Sequence, residues 1–109
     1  MENWKHLKIL VAEDNKIQSF VISKLLADTG IQITSASNGK EAADLCANEK
    51  FDIILMNIKM PLMDGFEATK EIRKFNKDVA IIAETNYGGI RERCLSEGFE
   101  DYIRKPFSK

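Results

Sequence analysis

The feature that most restricts the fold of this chain is an alternation. Apolar runs rich in Ile, Leu and Val, none longer than five residues, are separated by longer stretches with helical spacing. Leu7 to Ala12, Ile31 to Ala36, Phe51 to Ile58, Val79 to Thr85 and Asp101 to Lys105 read as five strands. Strands this continuously apolar are buried on both faces, which is the pattern of a parallel sheet covered by helices.

The intervening segments carry their own start and stop signals. Ile17, Phe20, Val21 and Leu25 recur at helical spacing before Gly30, which can supply a left-handed stop. Asn38 with Glu41, and Asp64 with Glu67, have the spacing of capping boxes. The second of these precedes Phe66, Thr69, Ile72 and Phe75, and a fourth helix carries Ile90, Cys94 and Leu95 ahead of Gly98. Each crossover is long enough for a helix and closes right-handed. An α/β fold follows, a doubly wound sheet of five parallel strands, occupying residues 1–109 as one domain.

Composition narrows the function. The chain has 16 Lys and Arg against 17 Asp and Glu, a formal net charge of −1, so a phosphate backbone is not an expected partner. No apolar run approaches the length of a membrane span, and no membrane insertion is expected. Two cysteines, Cys46 and Cys94, fall on apolar helix faces and suit core packing in a reducing, cytoplasmic setting. His6, the single histidine, precedes the first strand and is expected at the surface.

Ligands of open parallel sheets bind beyond the carboxyl ends of the strands. Here those ends are polar: Glu13 and Asp14 after the first strand, Asn57 closing the third, Thr85 the fourth and Lys105 the fifth. Two carboxylates suit a hard divalent cation such as Mg²⁺. Taken alone, the pair also fits a simpler role, with Asp14 capping the first helix and Glu13 in solvent. A hydroxyl and an ammonium facing the acidic pair are what a phosphoryl group requires, so phosphoryl chemistry leads.

The residues Ile9-Leu10-Val11-Ala12-Glu13-Asp14-Asn15, Leu55-Met56-Asn57-Ile58-Lys59-Met60-Pro61-Leu62-Met63-Asp64-Gly65, Ile81-Ile82-Ala83 with Thr85, and Asp101-Tyr102-Ile103-Arg104-Lys105-Pro106-Phe107 resemble the receiver domains of bacterial two-component signalling, especially those of hybrid sensor histidine kinases. The resemblance implies the flavodoxin-like strand order 2-1-3-4-5, an order for which receivers are a standard example. It implies a Mg²⁺ held by Asp14 directly, by Glu13 through water and by the Lys59 backbone carbonyl. Thr85 and Lys105 would hold phosphoryl oxygens, and Tyr102 would reorient with Thr85 on switching. The Lys105-Pro106 bond would be the family's cis peptide. A histidine kinase or a histidine phosphotransfer domain would be the partner.

The departures from that family are specific. Position 57, where the family places its phosphoacceptor aspartate, is asparagine. An uncharged amide is a poor nucleophile, so the chain as written is expected not to accept phosphate, to bind Mg²⁺ weakly and to signal by protein–protein interaction. The asparagine could be natural, or an engineered replacement in an otherwise active acceptor. The loop between Thr85 and Arg91 is about two residues shorter than the family pattern, and the chain ends where a fifth helix would begin, leaving one sheet face partly open and a homodimer possible. Two further readings compete: an acceptor that uses Glu13, Asp14 or a hydroxyl, and a flavin- or nucleotide-binding enzyme. The loop Glu13-Asp14-Asn15-Lys16 has no glycine to cradle a phosphate, which counts against the last.

Overall fold

The computed structural model describes residues 3–85 and 91–104. The elements are β1 (Lys8–Ala12), α1 (Lys16–Leu26), a 3₁₀ turn (Ala27–Thr29), β2 (Gln32–Ala36), α2 (Gly39–Asn48), β3 (Ile53–Asn57), α3 (Gly65–Arg73), β4 (Ala80–Thr85), α4 (Arg91–Ser96) and β5 (Asp101–Arg104). All strand pairs are parallel, in the order β2-β1-β3-β4-β5. The doubly wound fold and its strand order are therefore as expected. Among the described residues no helix follows β5; the stretch where one would begin, with the Lys105-Pro106 bond, lies outside them.

Alternate residues of each central strand enter different layers, as the strand period of two requires. Leu10, Ala12, Ile54, Met56, Ile81 and Ala83 pack with Ala42 of α2, Phe66 and Ile72 of α3 and Cys94 of α4. Ile9, Val11 and Leu55 point the other way, onto Ile22 of α1. On that second face Ile33, Ile53 and Ile82 are only partly buried.

Helix starts follow local chemistry. Asn15 caps α1, its side chain accepting from the N–H groups of Ile17 and Gln18. Asp64 and Glu67 form a full capping box on α3, at 2.8 and 3.1 Å. At α2 only half the box forms: Asn38 accepts from the Glu41 N–H at 2.8 Å, while the Glu41 carboxylate reaches past it to Ser37. Gly30, at φ 79°, makes the left-handed stop.

Two helical stripes differ from expectation. In α1 the residues turned to the sheet are Ile22 and, partly, Leu26, leaving Ile17 74% and Phe20 62% exposed. This helix is apolar around most of its circumference, so periodicity does not select the inward arc; docking on β1 and β3 sets its rotation. Phe75 lies beyond the end of α3 and is largely exposed. Ile90 lies outside the described residues, as does most of the 85–91 loop, for which the sequence leads to the expectation of a shortening.

The β3–α3 connection is tightly built. Among the described residues Leu62 is the non-glycine residue with positive φ, 68°, and is 84% exposed. Leu62→Gly is expected to raise stability by about 0.5–1 kcal/mol in urea titration, because it relieves the left-handed backbone with almost no buried surface to lose. Gly65 sits against β3: a Cβ there would overlap the carbonyl oxygen of Asn57. Gly65→Ala is expected to lose more than about 2 kcal/mol in the same measurement. Burial pushes the half-buried Cys46 thiol up to about 11, with Glu49 adding to the effect, and burial raises the Cys94 thiol as well. Iodoacetamide at about pH 8 is expected to alkylate neither thiol in the folded protein and both after denaturation, as read by intact mass.

Candidate functional site

Strand order places β1 between β2 and β3, so the chain leaves β1 and β3 at adjacent points on the same edge of the sheet. Glu13 and Asp14 follow β1, and Asn57 is the last residue of β3. The loop after β3 turns back so that the Lys59 carbonyl faces inward. An open cleft there is lined by Asp14, Lys59, Met60 and Asp64.

The centre of this site is the side-chain nitrogen of Asn57. It donates to Glu13 Oε2 at 3.0 Å, to Asp14 Oδ1 at 2.9 Å and to the Lys59 carbonyl oxygen at 2.9 Å. Three acceptors around one atom identify it as the NH₂ end of the amide, since an oxygen there would face only lone pairs. Glu13, 4% exposed, also accepts from the Asn15 N–H at 3.1 Å. Neither half of the simpler role survives: Glu13 is buried, and the cap of α1 is Asn15 while Asp14 faces the cleft.

Glu13, Asp14, Asn57 and the Lys59 carbonyl thus come together around one atom. Thr85 closes β4 and is buried, and Tyr102 lies on β5, next but one to its end. Lys105 lies outside the described residues. Among the described residues no group of three or more His, Cys, Asp or Glu side chains assembles; this pocket combines two carboxylates, an amide and a carbonyl. All four can present oxygen, the Asn57 amide after a half-turn, so the donor set suits a hard cation such as Mg²⁺ in kind.

One residue escaped the sequence reading. Glu84 is completely buried on β4, in register with Asn57, and its carbonyl accepts from the Ile58 N–H at 3.2 Å. The signal was present as a lone glutamate near the end of an otherwise apolar run, but strand alternation makes such a residue look solvent-facing.

Among the described residues no helix is long and apolar enough to cross a membrane. Residues 9–109 match the response regulator receiver domain family. The chain is 40% identical over 114 aligned positions to hybrid signal transduction histidine kinase B of Dictyostelium discoideum, covering 91% of this chain and 6% of that protein. It therefore spans only a small part of such relatives. Its fold is similar to the receiver domain of a Pseudomonas aeruginosa sensor histidine kinase with a magnesium ion coordinated in its active site cleft, at 38% identity and a TM-score of 0.85, over 94% of this chain and 87% of that one. It is also similar to a co-crystal structure of the Saccharomyces cerevisiae histidine phosphotransfer protein Ypd1 with the receiver domain of its response regulator Ssk1, at 28% identity and a TM-score of 0.87, over 94% and 80%. With its strand order, its acidic pair and its sequence all in agreement, the chain belongs to the response regulator receiver family, the signalling domain of two-component phosphorelays.

Proposed function

We propose that this receiver, as written, does not accept phosphate, because Asn57 stands at the phosphoacceptor position, and that it acts by binding other proteins of a phosphorelay. The observation that carries the reading is the Asn57 amide nitrogen 2.9–3.0 Å from Glu13, Asp14 and the Lys59 carbonyl, the groups around which a receiver builds its metal site. In-line attack on phosphorus needs an anionic oxygen, and the amide has none to offer. Asp14 and the Lys59 carbonyl are assigned as direct Mg²⁺ ligands, Asn57 as the neutral third and Glu13 as one acting through water. Bound Mg²⁺ would supply charge neutralisation for phosphoryl oxygens. Thr85 and Lys105 would hold those oxygens, and Tyr102 would pair with Thr85 in switching.

Partner choice follows from the exposed stripe of α1. Ile17 and Phe20, with Val21 at its edge, present apolar surface on the helix whose cap, Asn15, directly follows Asp14. A histidine phosphotransfer domain or the corresponding kinase domain is the partner we assign to it, and the yeast co-crystal supports this by showing a receiver in such a complex. A cytoplasmic location goes with that partner. A second copy of the chain is the other candidate for the incompletely covered sheet face; gel filtration returning a monomer at all concentrations removes it.

Asn57→Asp with Mg²⁺ and acetyl phosphate is expected to gain the mass of one phosphoryl group while the unaltered chain gains none. No gain by the variant overturns the assignment of position 57, and a gain by the unaltered chain indicates an acceptor such as Asp14 or Glu13. Without Mg²⁺ the same variant is expected to lose about 2 kcal/mol of stability, since it exchanges a donor for a third clustered carboxylate.

A further inference from the structure

The atom at the centre of the pocket is a nitrogen with the surroundings of a cation. Two carboxylates and a carbonyl converge on it at 2.9–3.0 Å. Asn57 is 6% exposed and its bond to the buried Glu13 is shielded from water, while those to Asp14 and the Lys59 carbonyl lie at the floor of the open cleft. Its two hydrogens serve three acceptors, so at least one is shared.

We propose that the Asn57 amide nitrogen is an internal surrogate for the divalent cation: it holds Glu13, Asp14 and the β3–α3 loop together without metal, and Mg²⁺ enters only once that nitrogen has turned out of its place. The inference rests on the reading of this pocket as a receiver's metal site, and it makes a claim that loss of charge alone does not. If the missing charge were the whole effect, alanine at position 57, which lacks even the amide oxygen, would bind the metal no more tightly than asparagine. A hydrogen-bonded plug weakens it further, because its bonds to two carboxylates must break before the cation takes their place. The plug also reaches the loop. It pins the Lys59 carbonyl, and the neighbouring Ile58 carbonyl accepts from the Gly65 N–H at 2.7 Å, so the first turn of α3 is tied to the same contact.

Asn57→Ala separates the two effects, since it removes the amide and stays neutral. In titration calorimetry with MgCl₂ the alanine variant, which gives up one neutral oxygen ligand but has no hydrogen bonds to two carboxylates to break on entry, is expected to bind roughly tenfold tighter than the unaltered chain. Its melting temperature is expected to rise with Mg²⁺ while that of the unaltered chain stays constant. Equal or weaker Mg²⁺ binding by the alanine variant overturns the proposal, whereas the receiver reading is judged separately by phosphorylation of Asn57→Asp. If the alanine variant does not fold, the side-chain amide resonances of Asn57 in the unaltered chain decide. Slow solvent exchange and shifts unchanged by Mg²⁺ support the plug; fast exchange, or shifts that move at low Mg²⁺, overturn it.

Discussion

Two carboxylates at the end of one strand repel each other unless something positive or proton-donating lies between them. In this receiver that role falls to the amide nitrogen of Asn57, which draws Glu13, Asp14 and the Lys59 carbonyl to a single point. The contact joins the ends of β1 and β3 and fixes the path of the loop leading to α3. Around it the backbone has little freedom: Gly65 lies where a side chain would strike the Asn57 carbonyl, and Leu62 holds a left-handed conformation.

That arrangement depends on the sheet beneath it. A parallel strand order with β1 between β2 and β3 brings two chain exits side by side, the general reason that ligands of such folds bind at the reversal of strand order. The layer containing α2, α3 and α4 is densely packed, with Leu10, Met56, Ile72 and Ile81 among its most buried members. The layer under α1 is thinner, and Ile33, Ile53 and Ile82 keep part of their surface. One domain thus combines a closely packed floor for the site with partly exposed apolar surface on its other face.

The chemistry of position 57 gives the domain its character. An aspartate there would make a cluster of three carboxylates that needs a metal, whereas an asparagine turns the same pocket into a self-satisfied hydrogen-bond network. The exposed α1 stripe begins beside this pocket.

Much of this was legible in the residues alone. Apolar runs of strand length alternating with capped helical segments determine a doubly wound parallel sheet, because both strand faces must be covered and each crossover must hold a helix. The strand-end rule then locates Glu13, Asp14, Asn57 and Thr85 at one edge. Tertiary structure alone decided the rest. Helical periodicity could not orient α1, since apolar residues surround most of it, and the inward choice of Ile22 over Ile17 and Phe20 comes from docking on β1 and β3. Burial of Glu84 follows from its place on β4, one strand from Asn57, which no local pattern announces. Above all, that the Asn57 nitrogen rather than its oxygen meets the acidic pair is a matter of which acceptors converge in space, and residues more than forty positions apart converge only when the chain is folded.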